Sequence, residues 1–257
     1  MVNIHSTAIV SPGARLAKTV SVGAYSFIGP DVIIDDNTVV GTSCVIEGNT
    51  KIGKNCRIFT GAVIGSIPQD LKFKGEKTFL EIGDNNIIRE YVTINLGTKA
   101  TGKTVIGNNN LIMAYSHIAH DCRIGNGVII ANVGTLAGHV TIEDKVVVGG
   151  MVAIHQFVRV GKLAIIGGCS KVIQDIPPFS ICDGHPARFY GLNVVGLRRA
   201  GMKPEVRNSL KTALKLLFQS GLSTSHALEE IKKRLAPNEE IKHLIDFVKN
   251  SQRGVCR

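Results

Sequence analysis

Residues 106–124 read IGNNNLIMAYSHIAHDCRI, and an isoleucine returns at every sixth position of this stretch. A period of six matches neither the 3.6-residue turn of an α-helix nor the alternation of a simple strand. It is typical of hexapeptide-repeat solenoids, in which each hexad supplies a short strand and a turn and points its aliphatic residue into a narrow interior. The stretch therefore predicts a β-solenoid, a parallel β-helix.

The same register extends over most of the chain. Counted at every sixth residue from Ile4 to Val172, 26 of the 29 positions are valine, isoleucine or leucine. The three exceptions are Asp70, Glu76 and Ala100. They fall near two interruptions, residues 65–78 and 97–104, which we interpret as outward loops. Irregular loops on a rigid scaffold are favoured places for binding groups.

The repeat ends near Pro177 and Pro178, which cannot donate to a strand ladder and are expected to close the solenoid. The apolar spacing after them is typical of amphipathic helices, each with a start or stop signal. The expected helices span residues 204–221, 224–236 and 238–250. We therefore predict two domains, a β-helix at residues 1–186 and a small α-helical C-terminal domain at residues 187–257.

The composition restricts the classes of protein to which the chain can belong. Its aliphatic runs are short and broken by glycine, far from the roughly 20 apolar residues of a membrane-spanning helix. The first residues lack the pattern of a secretory signal. Six scattered cysteines without a CxxC pair indicate reduced thiols. We expect a cytoplasmic protein that is not an integral membrane protein.

The formal net charge of +10 is concentrated at one end of the chain. Residues 186–257 contain 14 Lys/Arg against 6 Asp/Glu, whereas residues 1–185 contain 16 against 14. A basic surface speeds encounter with an acidic partner. The charge is not interleaved with aromatic residues and no recognition motif is present, so a nucleic-acid partner is not expected.

The histidines become informative once the coil is considered. With three hexads per coil, residues 18 apart lie above one another at the strand spacing. This places Gly138 over His120 and His139 over Asp121 in one compact patch. Asp121 can fix the tautomer of a neighbouring imidazole, which then accepts a proton. An unobstructed glycine N–H is the kind of donor that stabilises an oxyanion. The patch predicts acyl transfer to a hydroxyl or an amine.

Two other classes remain open on the residues alone. Three histidines on a hexapeptide coil can bind zinc, which would make the chain a hydratase of the γ-type carbonic anhydrase kind. A non-catalytic scaffold is the other alternative. The spacing of His117 and His120 puts both in one coil, where they need not converge on one ion. We therefore expect no metal and no cofactor.

Several segments carry a more specific resemblance. They are 68-PQDLKFKGE-76, 117-HIAHDCRIGN-126, 134-GTLAGHV-140, 149-GGMVAIHQFVRVG-161 and 189-FYGLNVVGLRRAG-201. Together they resemble the UDP-N-acetylglucosamine acyltransferases. The resemblance implies a homotrimer of left-handed parallel β-helices with active sites between neighbours. It also implies transfer of a 3-hydroxyacyl chain from acyl carrier protein to the 3-position of the UDP-amino sugar, the first step of lipid A biosynthesis.

The resemblance also implies roles for individual residues. In the catalytic group, His120 matches the general base, Asp121 its orienting partner and Gly138 the oxyanion donor. The residues assigned to substrate binding are Gln69, Asp70, Lys72, Asn95, His117, His139, His155 and Gln156, with Asn193 and Arg199 for the nucleotide. Those assigned to the limit on acyl-chain length are Gly168 and Lys171.

Three positions depart from the family pattern. In 93-TINLGT-98, Asn95 replaces a frequent histidine close to the reacting position of the sugar. This leaves a 3-hydroxyl and a 3-amino acceptor both open. Val195 and Ala200 stand where an acidic and a basic residue are often found, which predicts rearranged nucleotide contacts. The preferred acyl length is not fixed by the sequence.

Overall fold

A computed structural model describes residues 3–257, and its first part is a three-sided coil of short parallel strands. In chain order the strands are β1 Asn3–Ile4, β2 Ile9–Val10, β3 Arg15–Leu16, β4 Ser21–Val22, β5 Phe27–Ile28, β6 Ile33–Ile34, β7 Val39–Val40, β8 Val45–Ile46, β9 Asn49–Ile52, β10 Arg57–Ile58, β11 Val63–Ser66, β12 Phe79–Ile82, β13 Ile87–Ile88, β14 Thr93–Asn95, β15 Lys103–Ile106, β16 Leu111–Ile112, β17 His117–Ile118, β18 Arg123–Ile124, β19 Ile129–Ile130, β20 Thr135–Leu136, β21 Thr141–Ile142, β22 Val147–Val148, β23 Ala153–Ile154, β24 Arg159–Val160, β25 Ile165–Ile166, β26 Lys171–Val172, β27 Ser180–Gly184 and β28 Ala187–Leu192.

Every third strand belongs to the same side of the coil. The first sheet begins β1-β4-β7, the second β2-β5-β8 and the third β3-β6-β9, and each continues in steps of three strands along the solenoid. All pairs within the coil are parallel, and uninterrupted coils pair residues 18 apart, as in His117 with Thr135. The predicted stacking of residues 18 apart is therefore correct.

The interior of the coil is a single column of aliphatic side chains. Ile28, Ile46, Ile64, Ile94 and Ile118 are all 0% exposed. Each coil alone has no second layer to cover its apolar face, so burial comes from the coils above and below it. This stacking fixes the backbone around which the outward side chains of the corners are arranged.

The two interruptions differ from one another. Residues 67–78 form an irregular excursion between β11 and β12, with Ile67 and Leu71 exposed. The second interruption lies between β14 and β15, and only part of it points outward. Leu96 and Thr98 are 5% and 7% exposed. The expectation of an outward loop at residues 97–104 is wrong at both ends, because Gly97 and Thr98 are buried against the coil and Lys103 and Thr104 belong to β15.

An antiparallel hairpin closes the solenoid. β27 pairs with β25 on the first sheet and then with β28, which runs back along it. The predicted domain boundary between residues 186 and 187 falls inside this hairpin. The chain end returns to the same region, where Asp175 bridges to Val255.

Four helices follow the hairpin. They are α1 Val194–Arg199, α2 Pro204–Phe218, α3 Thr224–Arg234 and α4 Glu239–Lys249. The last three confirm the helices expected from the sequence, each ending one to three residues early, whereas α1 was not predicted. Leu210, Leu214 and Ile231 form a second core that packs on Phe179 beside the hairpin. Within residues 3–257, no helix combines the length and the apolar composition that crossing a bilayer requires.

Candidate active site

The corner between the second and third sheets carries the predicted histidine patch. Strands β17 and β20 pair in parallel, so the turns that follow them stack one coil apart. The backbone N–H of His139 donates to the carbonyl oxygen of His120 at 3.0 Å, which holds the two turns together. The structure thus brings His120, Asp121, Gly138 and His139 into one group on the outside of the coil.

His120 and Asp121 form a hydrogen bond between Nδ1 of the ring and Oδ2 of the carboxylate, at 2.8 Å. Because an ionised carboxylate can only accept, Nδ1 carries the proton of the neutral ring and Nε2 keeps a free lone pair. The His120 side chain is 15% exposed and that of Asp121 is 0% exposed. One ring nitrogen is therefore committed to the protein and the other is available to a substrate.

The carboxylate of Asp121 is held by the segment between β14 and β15. The N–H of Thr98 donates to Oδ1 at 3.0 Å, the Thr98 hydroxyl donates to Oδ2 at 2.7 Å, and the Thr101 hydroxyl donates to Oδ1. Burial raises the pKa of Asp121, but the hydrogen bonds from Thr101, His120 and Thr98 outweigh it and lower the pKa from 3.8 to about 2. Asp121 is ionised at neutral pH.

Residue 138 has to be glycine for His120 to lie where it does. A Cβ built on Gly138 would come within 2.5 Å of Cε1 and 2.7 Å of Nε2 of the His120 ring. The backbone N–H of Gly138 is also free, since no group among residues 3–257 accepts from it. A polarised ring and an uncommitted N–H donor therefore lie side by side.

The corner between the third and first sheets shows how such an N–H is otherwise satisfied. There the N–H of Asp84 donates to Asn108 Oδ1, and that of Asn126 donates to Asp144 Oδ1, both at 2.7 Å. Each acceptor belongs to the next coil. No side chain in the described part of the chain caps Gly138 in this way. Gly138 is buried, and a buried N–H without a partner is a ready donor to a ligand oxygen that reaches it.

Besides His120, the site has two imidazoles, that of His117 beside the patch and that of His139 within it. Burial lowers the pKa of His117, whose Nδ1 lies 2.7 Å from Thr93 Oγ1. Burial is also the largest influence on His139, and its pKa is likewise lowered. The His139 ring stacks on Phe157 with centroids 4.5 Å apart and meets His120 edge-on at 5.2 Å. Both rings are therefore neutral at pH 7, when each can donate and accept one hydrogen bond.

Asn95 lies at the end of β14, beneath the patch. Its Nδ2 donates to the carbonyl oxygen of Ile67 at 2.9 Å and ties the first interruption to the coil. The residue is 3% exposed, yet Oδ1 has no hydrogen-bond partner among the described residues. A buried, unpaired carbonyl oxygen costs free energy unless a ligand supplies a donor.

The first interruption carries Gln69, Asp70 and Lys72. Gln69 and Lys72 are exposed, and the N–H of Lys72 donates to Asp70 Oδ1 at 3.0 Å. Burial lowers the pKa of His139, and the negative charge of Asp70 opposes that effect. Asp70 is therefore close enough to the patch to interact with its charge. On the next coil, His155 and Gln156 are exposed at the same corner as His120 and Gly138.

The remaining predicted residues lie elsewhere in the chain. Arg199 is exposed at the end of α1, and Lys171 points outward from β26. Gly168 is exposed at the corner between the first and second sheets, where a Cβ would meet nothing nearer than Gly150 O at 3.3 Å. Among residues 3–257, no hydrogen bond links these three to the patch.

Asn193 is buried, and both polar atoms of its side-chain amide make a hydrogen bond within the chain. Oδ1 accepts from the N–H of Gly196 at 2.9 Å and caps α1, while Nδ2 donates to the carbonyl oxygen of Leu163 at 2.8 Å. Its side chain therefore positions α1, the helix that carries Arg199.

Sequence reasoning missed Thr98 and Thr101, although it located the segment that carries them. A third threonine of that segment, Thr104, accepts from the N–H of Asp121 at 2.9 Å. The sequence feature that could have identified them is the repeated threonine in 97-GTKATGKT-104, which lies one coil before His120 and Asp121. Hydroxyls repeated beside a buried carboxylate are the donors that an ionised group requires.

The patch also has the dimensions of a metal site. One possible ligand atom each from His120, Asp121 and His139 lies within 4.8 Å of the other two. Both oxygens of Asp121 are, however, already acceptors for Thr98, Thr101 and His120. Because the carboxylate already accepts these hydrogen bonds, a proton on His120 Nδ1 is favoured over a metal ion between His120 and Asp121.

Comparisons with known proteins agree over the full length of the chain. Residues 175–256 match the family model described as UDP N-acetylglucosamine O-acyltransferase, domain 2, and residues 103–134 match the bacterial transferase hexapeptide repeat. The acyl-[acyl-carrier-protein]–UDP-N-acetylglucosamine O-acyltransferase of Thermodesulfovibrio yellowstonii is 52% identical over 258 residues, with 100% of each chain covered.

Solved structures give the same result. LpxA from Acinetobacter baumannii is 44% identical with a TM-score of 0.95, covering 99% of both chains. LpxA from Bacteroides fragilis, described as a UDP-N-acetylglucosamine acyltransferase, is 43% identical with a TM-score of 0.97, covering 98% of this chain and 99% of that one. The predicted left-handed parallel β-helix followed by a helical C-terminal region is confirmed.

Proposed function

Because the chain belongs to the acyl-[acyl-carrier-protein]–UDP-N-acetylglucosamine O-acyltransferases, we propose that His120 is the general base of a direct acyl transfer. The chain is an acyltransferase, and the zinc hydratase alternative is not favoured. The donor is a 3-hydroxyacyl chain on acyl carrier protein, and the acceptor is the 3-position of a UDP-N-acetylglucosamine-type sugar. We place this reaction in the cytoplasm as the first step of lipid A biosynthesis.

The observation that carries the mechanism is the pairing of His120 with Asp121 beside the free N–H of Gly138. Asp121 holds the proton on Nδ1, so Nε2 takes the proton from the acceptor as its oxygen or nitrogen attacks the thioester carbonyl. The carbonyl oxygen becomes an oxyanion, which Gly138 N–H stabilises. Collapse of this intermediate expels the carrier thiolate, and His120 returns the proton to its sulfur.

The other polar groups of the patch suit the sugar. The neutral rings of His117 and His139 can each donate to one hydroxyl and accept from another. The first interruption reaches the same place with Asp70, which we assign to the amino sugar together with Gln69 and Lys72. Exposed His155 and Gln156 extend the site onto the next coil.

We infer a homotrimer in which a second copy completes each site. An exposed apolar stripe follows the corner between the first and second sheets. It contains Tyr91 at 50%, Tyr115 at 60% and Met151 at 65% exposure. Exposed apolar surface of this extent indicates an interface. In this arrangement, Arg199 of a neighbour reaches the nucleotide, and Gly168 and Lys171 border the acyl chain.

Asn95 favours a second acceptor, the 3-amino analogue of the same sugar. Its Oδ1 is buried and has no partner among residues 3–257, so a donor on the substrate would satisfy it. A 3-hydroxyl has one hydrogen, which His120 requires. A 3-amine has two, and can give one to Asn95 and one to His120. Asn95→His should lower the ratio of amino to hydroxyl turnover.

The proposed function is tested with purified chain, 3-hydroxyacyl thioesters of acyl carrier protein with several chain lengths, and both nucleotide sugars. We expect one acyl sugar for each carrier thiol released, at a rate that added EDTA does not change. Release of thiol without acylated sugar would indicate a thioesterase. A transfer rate that EDTA abolishes and zinc restores would contradict the metal-free mechanism.

A further inference from the structure

The two carboxylate oxygens of Asp121 accept hydrogen bonds from different sets of donors. Oδ2 accepts from His120 Nδ1 at 2.8 Å and from the Thr98 hydroxyl at 2.7 Å. Oδ1 accepts only from the segment between β14 and β15, through the N–H of Thr98 at 3.0 Å and the hydroxyl of Thr101. The orientation of the oxygen that meets His120 is therefore set by the Thr98 hydroxyl together with the two donors to Oδ1.

We propose that Thr101 is a positioning residue for the transfer, which fixes the Asp121 carboxylate and through it the tautomer and orientation of His120. The inference rests on the role of His120 under the proposed function. Thr101 makes no contact with the reacting atoms in this scheme; it acts through Asp121.

The hydroxyl of Thr101 has one hydrogen and two neighbouring acceptors. It lies 3.0 Å from the carbonyl oxygen of Lys103 and also contacts Asp121 Oδ1. A hydrogen bond to a charged acceptor is roughly twice as strong as one to a neutral acceptor, so the hydrogen goes to the carboxylate. Among the effects of hydrogen bonds on Asp121, that of Thr101 lowers the pKa most.

Thr98 and Thr101 differ in what else they support. Thr98 is 7% exposed and organises the turn, because its hydroxyl accepts from the N–H of Ala100 at 3.2 Å and its carbonyl oxygen accepts from Gly102 at 2.8 Å. Thr101 is exposed, and its methyl group has no part in either core. Thr101 can therefore be changed without disturbing the fold.

Loss of the Thr101 hydroxyl leaves Oδ1 with one donor in place of two. The carboxylate keeps both hydrogen bonds from Thr98 and the one from His120, but its rotation about the Cβ–Cγ bond is less restrained and the His120 ring is held less firmly at Nδ1. Binding of the sugar does not use this contact, so the effect should fall on kcat and leave KM nearly unchanged.

The experiment compares Thr101→Val, Thr101→Ser and a matched control, Thr141→Val. Thr141 lies on the outer face of the third sheet, and its hydroxyl makes no hydrogen bond within residues 3–257. We expect Thr101→Val to lower kcat about tenfold with KM within about twofold, because a hydrogen bond to a charged group is lost. Thr101→Ser and Thr141→Val should stay within about twofold of the parent enzyme.

A double-mutant cycle with Asp121→Asn separates positioning from any general damage. If Thr101 acts through the carboxylate, the valine substitution should cost little in the background of the Asp121→Asn variant. Equal losses in both backgrounds, or full kcat in Thr101→Val, overturn the proposal. Histidine nitrogen NMR adds a readout independent of turnover: the valine variant should show a smaller population of His120 protonated at Nδ1.

These outcomes are distinct from failure of the proposed function. If His120→Ala remains active, the assignment of the base is wrong whatever Thr101 does. If His120→Ala is inactive and Thr101→Val behaves as the parent, the base stands and only the positioning role is lost.

Discussion

The imidazole of His120 lies directly against the α-carbon of Gly138, which is 18 residues later and one coil further along the solenoid. A Cβ on residue 138 would come within 2.5 Å of the ring. The stacking of coils therefore brings together both halves of the proposed site, the His120 imidazole and the Gly138 N–H, from two turns that share one corner.

Gly138→Ala tests this packing. The added methyl group must displace the His120 ring, so kcat/KM should fall about 100-fold, in the range that a general base contributes. Gly191→Ala is the matched control, because a Cβ at Gly191 has nothing within 4 Å. Activity within about threefold of the parent for Gly138→Ala would show that the ring does not need this position.

The ionised Asp121 makes stability depend on pH in one direction. Its pKa is lowered from 3.8 to about 2 in the folded chain, so its contribution is fully present above pH 3.8 and is lost as pH falls through about 2. The shift corresponds to about 2 kcal/mol at neutral pH, and about 1 kcal/mol of it should be lost between pH 6 and pH 3. Urea unfolding of the parent and of Asp121→Asn at both pH values measures the difference. Parallel pH dependences would contradict the lowered pKa.

The basic helical region should attract the acidic acyl donor. Residues 186–257 carry 14 Lys/Arg against 6 Asp/Glu, and Lys211 and Lys215 are exposed one turn apart on α2. Replacing both by glutamate should raise KM for acyl carrier protein about tenfold and leave kcat unchanged, because steering acts before the chemistry. Added salt should raise the parent KM as well.

The exposed Lys18, at the opposite end of the solenoid, provides the control for that experiment. Lys18→Glu changes the net charge without altering the helical region. If Lys18→Glu raised KM as much per substituted lysine as the double variant does, the effect would be a nonspecific one of net charge.

The parts of the site that follow the repeat could be predicted from the sequence. Gly138 over His120 follows from a spacing of 18, because the aliphatic interior fixes the register of every uninterrupted coil. Thr98 and Thr101 could not be placed, since they are 23 and 20 residues from Asp121, across an interruption that breaks the spacing. The path of such a segment depends on its own hydrogen bonds.

In the helical region, too, only the features with a regular sequence pattern could be predicted. The three longer helices were predicted from their apolar spacing and their start and stop residues, whereas α1 has only six residues and depends on the Asn193 cap. The side chain of Asn193 caps α1, and its contact with the nucleotide stays a prediction. Arg199, Gly168 and Lys171 lie apart from the patch within one chain, and their proposed roles depend on the homotrimer that we infer.

The most direct test of the account is turnover by His120→Ala, measured with 3-hydroxyacyl carrier protein and the nucleotide sugar and compared with His5→Ala, an exposed histidine of the first coil. General-base catalysis contributes about 10²- to 10⁴-fold, so kcat should fall by at least about 100-fold while the unfolding temperature stays unchanged. His5→Ala should behave as the parent. A folded His120→Ala enzyme that retains more than about a tenth of the parent kcat would contradict the assignment of His120 as the base.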